Sequence, residues 1–261
     1  YRIGHDRIFD HMMLDGLEDA YEPGRSMGTF GEDCAAKYGF TRAQQDAFAT
    51  ASVTRAQQAI ASGAFKAEIT PVAVTSRGAQ RLVDTDEGPG KIKLDKIATL
   101  KPAFKKDGTV TAASSSSIND GAAAMVLMRA STAARLGCAP LARIAAHATH
   151  AQEPEWFSTA PIGATQKALA KAGWQVGEVD LWEINEAFAV VPMALMHDLQ
   201  VPHDKVNVNG GACALGHPIG ASGARIMVTL MHALKARGLK KGLATLCIGG
   251  GEATALALEM L

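Results

Sequence analysis

The sequence predicts an α/β protein in which helices cover a sheet, and three observations predict it. From about residue 141 onward, short apolar runs alternate with helical segments, the pattern of a layered sheet with helices on its faces. The helical segments stop at glycines: Gly39, Gly63, Gly173 and Gly238. Two strand-like runs, 179–184 and 242–248, end directly in unusual turns, Asn185-Glu186-Ala187-Phe188 and Gly249-Gly250-Gly251. With 261 residues, 48% of them apolar, the chain has enough material for one large domain or two moderate ones. No short internal repeat is present.

In chain order, residues 1–30 are mixed. They carry His5, Asp6, His11 and Asp15 without the defined spacing of a metal cage, and read as solvated and structural. YEPGRSM at 21–27 is a turn by composition. Gly28 to Tyr38 reads as a helix with Phe30, Cys34 and Ala35 on one face, which makes Cys34 a core residue. Thr41 is a good N-cap for a second helix that places Ala47, Phe48, Ala51, Ala59 and Ile60 at helical spacing before Gly63. Glu68 to Ser76 reads as a short strand, with Pro71 favouring an edge position. Residues 77–108 are polar and read as an excursion outside the core. Their lysines, Lys91, Lys93, Lys96, Lys101, Lys105 and Lys106, form a loose cationic cluster. A solvated face is the plain reading of it; a weak site for a polyanionic cofactor tail is the functional one.

Val110 to Asn119 is a run of small and hydroxylated residues, expected to pack tightly beside a core strand. The main boundary falls here, dividing 1–117 from 118–261. Beyond it the sequence predicts strands at 141–148, 179–184, 242–248 and 254–261, and a short extended piece at 206–208. Helices are expected at 162–172, through VVPMALMHDL with Pro192 in its early part, and from about Ala221 to Arg237.

Composition excludes several functions. Lys and Arg total 26 and balance 26 Asp and Glu, so there is no basic face for duplex DNA, and 5% aromatics disfavour base stacking. Cys34, Cys138, Cys213 and Cys247 show no CxxC pair and no His/Cys metal spacing, which reads as a reduced, intracellular chain without structural disulfides or zinc. No apolar run reaches the roughly 18 residues of a membrane span. Tyr1 is not a methionine and YRIGHDR lacks a signal-peptide pattern, so the chain is read as starting inside a longer protein and as cytoplasmic.

The chemistry gathers around Asn207 to Ser222, NVNGGACALGHPIGAS. Residue type alone leaves two readings of His217 open: a structural histidine in a tight glycine turn, or a group that takes and gives a proton near neutral pH. Two other turns favour the second. Cys247 sits at a strand end before three glycines whose N–H groups suit a developing oxyanion. Asn185 opens a strand-to-helix turn and can orient a water or a carbonyl through its amide. A cysteine, a histidine and backbone donors are the parts of acyl transfer, although Cys247 reads equally as a buried strand residue. GGACALG lacks the GK[ST] ending of a phosphate-binding loop.

Taken together, NEAF, NVNGGACALGHPIGASGARI and LATLCIGGG closely resemble the C-terminal part of the thiolases, the acetyl-CoA acetyltransferase and 3-ketoacyl-CoA thiolase family. The similarity extends upstream through INDGAAA, PAF at 102–104, the TRAQQDAFA helix and SMGTF, and so spans essentially the whole chain. It implies a layered αβαβα fold when complete, of which residues 1–117 are the loop domain covering coenzyme A and 118–261 the C-terminal domain. It implies cleavage of a 3-ketoacyl-CoA by CoA to acetyl-CoA and a shortened acyl-CoA, or the reverse condensation, through an acyl-cysteine. His217 resembles the base that activates the nucleophilic cysteine. Cys247 resembles the second cysteine, which moves the proton on the acetyl α-carbon. Asn185 resembles the holder of a water at the enolate oxygen, and Gly249 N–H an oxyanion donor. Ser116, Ala187 and Phe188 resemble residues lining the pantetheine tunnel, and Met27, Lys91 and Lys93 are further candidates for CoA contact. CoA is implied as substrate, with no bound cofactor or metal, in a homodimer or homotetramer.

The departures are specific. The family's nucleophile lies in a Cys-Gly-Ser/His-Gly type motif, and none occurs in this sequence. The N-terminal, nucleophile-bearing half is therefore expected to be absent from this chain and to act as its partner. Ser26 stands where many members have histidine, and Ser114 where asparagine is common. Two other readings compete: a non-catalytic relative that binds acyl-CoA or lipid, disfavoured by the intact His217, Asn185 and Cys247, and a decarboxylating ketoacyl synthase, disfavoured by Cys247 before the glycines.

Overall fold

The structure is a computed structural model that describes residues 2–261. Its centre is a mixed four-stranded sheet built from β3 (Ala142–Ala151), β4 (Leu181–Ile184), β5 (Lys241–Ile248) and β6 (Glu252–Met260), in the order β3-β6-β5-β4. β6 pairs antiparallel with both β3 and β5, while β4 runs parallel to β5. Val206 extends the β4 edge by one bridge to Trp182, which is what remains of the short extended piece expected at 206–208.

The two faces of the sheet follow the two-residue alternation of strand side chains. On β5, Leu243 and Cys247 face one core with Trp182, Phe157 and Phe30, whereas Ala244 faces a second with Leu230, Leu234 and Leu258. The first core is covered by α5 (Ala160–Ala172), α6 (Val190–Leu199) and α1 (Met27–Tyr38), and the second by α8 (Ser222–Arg237). A Cβ at Gly242 would run into Leu230 and Leu234, so α8 lies close on the sheet because this strand residue has no side chain.

The helices in the upstream part form as their caps dictate. α1 starts at Ser26 and stops at left-handed Gly39. α2 (Arg42–Ser62) begins with a full capping box between Thr41 and Gln44 and ends at left-handed Gly63. Cys34 is fully buried, as its place on the apolar face of α1 requires. α2 crosses the glycine loop, where a Cβ at Gly210 would meet the Ser52 carbonyl. Within that loop lies a single turn, α7 (Ala212–Leu215), which the sequence presents only as glycine-rich.

Two expectations need correcting. The polar 77–108 excursion contains a strand: β1 (Val72–Ser76) and β2 (Ala79–Val83) form an antiparallel hairpin across Arg77-Gly78. Both turn residues have positive φ, 50° and 79°, the left-handed conformation a two-residue hairpin loop needs. Arg-Gly hides that turn because arginine rarely supplies such a φ. The excursion also holds α3 (Gly88–Lys91). The serine run packs not beside a regular strand but against the turns after β4 and α7, through bridges from Ser115 to Phe188 and from Ile118 to His217. After it, residues 119–129 form no helix, strand or bridge and lead into α4 (Ala130–Leu136).

Candidate active site

The parallel register of β4 and β5 brings two of the three turns to one edge. Ile184 pairs with Thr245, Asn185 N–H donates to the Thr245 carbonyl at 3.0 Å, and Cys247 lies two residues further along β5. Asn207 fixes the end of β4 from the side. Its Oδ1 accepts from Ile184 N–H and its Nδ2 donates to the Ile184 carbonyl, both at 2.8 Å, a clamp that holds Asn207 itself at a left-handed φ of 47°.

Glu186 ties this edge together. It is fully buried and accepts three hydrogen bonds from three segments: Asn207 Nδ2 at 2.7 Å, Ser52 Oγ of α2 at 2.7 Å and the Cys213 N–H of α7 at 2.9 Å. Gly211 N–H donates to the same Ser52 hydroxyl at 3.0 Å, and a Cβ at Gly211 would run into the carboxylate. The glycines of this loop therefore serve close approach to a buried acid as well as turning.

The third turn arrives through His217. Its backbone N–H donates to the Ser117 carbonyl at 2.9 Å, and a Cβ at Gly216 would strike Asn119. The ring contacts Asn185 Nδ2 through Nε2 at 3.3 Å and Ser222 Oγ through Nδ1 at 2.5 Å. Burial, then the Arg225 guanidinium, pushes the imidazole down to about 4, so it is neutral at physiological pH. Asn185 is buried and its Oδ1 takes no hydrogen bond from the described residues.

Cys247 is buried on the face of β5 that carries Leu243, and burial pushes its thiol up to about 12. It is thus a protonated thiol, a proton donor rather than a ready thiolate nucleophile. The turn after it is permitted by left-handed Gly250 and Gly251, both at a φ of 90°, and a Cβ at Gly251 would meet the Gln152 carbonyl. Gly249 is exposed and its N–H makes no backbone hydrogen bond among the described residues. Met27 lies against Gly249, with its methyl carbon 3.6 Å from where a Cβ would stand.

The remaining candidates are placed unevenly. Ser116 donates through both N–H and hydroxyl to the Ala187 carbonyl, at 3.0 and 3.1 Å, so its hydroxyl braces the NEAF turn. Phe188 is buried edge-on against Phe104, their centroids 5.8 Å apart, and stands beside Gly31. Lys91 is exposed and paired with Glu87 at 2.9 Å, and Lys93 is exposed. Among the described residues no group of three or more His, Cys, Asp or Glu is arranged to hold a metal ion, and no helix is long and apolar enough to cross a membrane. A cleft of about 490 Å³ flanks the back of the His217 turn, walled by Pro218, Arg225, Glu68 and Asp86. It does not open on the imidazole; hydrogen bonding, not this cleft, defines the site.

Sequence reasoning missed Ser52, Glu186 and Ser222. Glu186 stands inside the NEAF motif, and a carboxylate on a turn between apolar segments was the available signal. Ser52 carries none, because nothing local distinguishes a serine inside a helix.

Comparison with known proteins gives the setting. Residues 1–131 match the thiolase N-terminal domain and 138–260 the thiolase C-terminal domain. The chain therefore carries sequence of both family domains, and the expectation that the N-terminal domain is missing is not supported in that form. It is 51% identical over 259 residues to acetyl-CoA acetyltransferase of Pseudomonas aeruginosa, covering 98% of this chain and 66% of the relative. It is likewise 51% identical to a probable acetyl-CoA acetyltransferase of Dictyostelium discoideum, covering all of this chain and 63% of the relative. The crystal structure of the Bacillus anthracis acetyl-CoA acetyltransferase superposes with a TM-score of 0.95 at 43% identity, over the whole of this chain and 66% of that one. The chain thus spans just under two thirds of the length of these relatives. With both domain profiles matched in order and an α/β fold that superposes throughout, the chain belongs to the thiolase family.

Proposed function

We propose that this chain forms part of an acyl-CoA acyltransferase centre of the thiolase type. It would act in cleavage of 3-ketoacyl-CoA by CoA or in condensation of two acetyl-CoA, with CoA as a substrate. The observation that carries this reading is the Asn185–His217 pair at the β4 edge, held at 3.3 Å beside the strand end that bears Cys247. A neutral His217 is able to take a proton from a thiol. Protonated Cys247 has the proton that an acetyl enolate needs at its α-carbon. The buried, unpaired Oδ1 of Asn185 would accept from a water, and a water held there would suit an enolate oxygen. Gly249 N–H supplies a second donor. On this reading residues 1–117 act as the cover over CoA and 118–261 as the domain carrying the bases, in a cytoplasmic homodimer or homotetramer.

The nucleophile is the open part of the centre. Cys34 and Cys213 are buried with thiols pushed up by burial, and Cys138 is exposed after α4, so none has the surroundings of an acyl acceptor. We place the acyl-forming cysteine outside these 261 residues. The alternative, a thiolase relative that binds acyl-CoA without turnover, is weighed against by the Asn185–His217 pair beside Cys247, which binding alone does not need.

One experiment separates them. Acetoacetyl-CoA cleavage is measured for the chain alone and after assembly with a polypeptide carrying a Cys-Gly-Ser/His-Gly segment. The assembled protein should be active, and His217→Ala should lower the acylation rate by about 10²–10⁴ while leaving CoA affinity nearly unchanged. Cys247→Ala should abolish cleavage and condensation alike. Cleavage by the isolated 27.3 kDa chain would refute the external nucleophile, and CoA binding without turnover in every assembly would establish the binding protein instead.

A further inference from the structure

Ser222 lies five residues beyond His217 in sequence, yet the Pro218–Ala221 turn folds it back beside the ring. It is the first residue of α8 and is buried, so its side chain has no alternative in solvent. Its hydroxyl stands 2.5 Å from His217 Nδ1 and 3.0 Å from the Pro218 carbonyl oxygen. A hydroxyl has one proton, and it goes to one of these two acceptors. If it goes to the imidazole, Nδ1 is bare and Nε2 carries the hydrogen. If it goes to Pro218, the hydroxyl is free to accept from Nδ1–H, and Nε2 keeps its lone pair. The Pro218 carbonyl also receives the N–H groups of Ala221 and Ser222, at 2.7 and 2.9 Å, so it alone does not decide.

The far side of the ring decides. Asn185 Nδ2 lies 3.3 Å from Nε2, and an amide nitrogen only donates. A hydrogen on Nε2 would set two donors against each other at a half-buried ring beside the buried Asn185. A bare Nε2 accepts from the Asn185 amide nitrogen while the Ser222 hydroxyl donates to Pro218 and accepts from Nδ1–H. We infer that Ser222 is a positioning residue that locks His217 in the Nδ1–H tautomer, with the Nε2 lone pair turned toward Asn185 and the reacting groups. The ring's neutrality gives the lock its importance: burial and Arg225 keep the imidazole uncharged, and an uncharged imidazole with hydrogen on the wrong nitrogen cannot serve as a base. The functional side of this inference rests on the proposed acyl transfer; the tautomer itself does not.

The test uses the whole chain labelled with ¹⁵N at histidine, at about pH 7, well above the folded value of His217. The His217 signals should show a protonated Nδ1 and an unprotonated Nε2. Ser222→Ala should reduce the excess of that tautomer roughly tenfold, the effect of one hydrogen bond, and Ser222→Thr should restore it. Hydrogen on Nε2 in the wild type overturns the lock, as does an unchanged tautomer ratio in folded Ser222→Ala. If Ser222→Ala does not fold, the wild-type and Ser222→Thr spectra decide, and Nε2–H in either refutes the inference. In the assembled enzyme Ser222→Ala should lower kcat with little change in KM, a split that loosened CoA binding would not give. An inactive assembly that still shows Nδ1–H removes the proposed function and leaves the lock standing.

Discussion

Glu183 and Glu186 lie three residues apart at the end of β4, and both are fully buried, but their surroundings are opposite. Glu186 accepts from Ser52, Asn207 and Cys213, so its carboxylate meets a ready-made set of donors. Neither oxygen of Glu183 takes a hydrogen bond from the described residues, and its nearest cation, Arg225 Nη1, is 3.7 Å away. Burial pushes Glu183 up to about 8, while Arg225 only partly opposes that. One acid is placed to fix geometry beside Asn185; the other is a neutral acid at pH 7 beneath α8. Burial alone therefore says nothing about a carboxyl group's role. The donors around it do.

The largest effect that could break this contrast is Glu186→Ala. It would orphan the Ser52 hydroxyl, the Asn207 amide and the Cys213 N–H in the interior, at a cost of about 3 kcal/mol or more. Urea denaturation of the variant should show a lower midpoint at unchanged slope. A loss below about 1 kcal/mol would mean that the three hydrogen bonds are not the hub described, since one ordinary hydrogen bond is worth that much.

The Glu183 side of the contrast predicts a pH dependence. The ordinary carboxyl value is 4.5, and the folded value is raised to about 8. Between the two, the folded chain holds a proton that the unfolded chain has released. The stabilisation is thus complete below about 4.5 and is lost as pH rises through about 8. Glu68, raised to about 7 mainly by burial, contributes in the same sense. Denaturation midpoints should fall for the wild type from about pH 6.5 to about pH 8.5; below that range His217, lowered from 6.5 to about 4, opposes the trend because the unfolded chain binds its proton first. Glu183→Gln, which mimics the neutral acid, should flatten the profile and be more stable than the wild type by about 1 kcal/mol or more near pH 8. Parallel profiles for the two proteins would show that Glu183 is ionised in the fold.

The same pair explains how far the sequence could be read. The helices 27–38, 42–62, 160–172 and 222–237 were legible because caps and left-handed glycines are local signals. The strands at 142–151, 181–184, 241–248 and 252–260 were legible as apolar runs between them. His217, Asn185 and Cys247 stood out only together, because three turns with reactive residues follow or flank apolar strand-like runs, whereas each residue alone reads equally as structural. Ser52 did not, because it lies 134 positions from the carboxylate it meets and only the tertiary fold joins them. The β2 strand was hidden by its polar exterior and Arg77-Gly78 turn. Apolar character does not say which element will cover a residue, and Val126 is accordingly 87% exposed.

The smallest expected effect lies at the surface and sharpens the contrast from outside. Lys91 and Lys93 came from charge clustering and from the family resemblance, and the fold leaves both in solvent, Lys91 already engaged by Glu87. Exposed charges are screened and hold ligands weakly. If they meet the phosphates of CoA, replacing both with alanine should weaken CoA binding by no more than about fivefold at low salt, and less as salt is raised. Titration calorimetry at two ionic strengths reads this directly, with the denaturation midpoint unchanged. Equal CoA affinity in the double variant at low salt would remove both lysines from the site and leave them as part of a solvated face. A loss of a hundredfold would contradict their exposure, since only desolvated contacts carry that much.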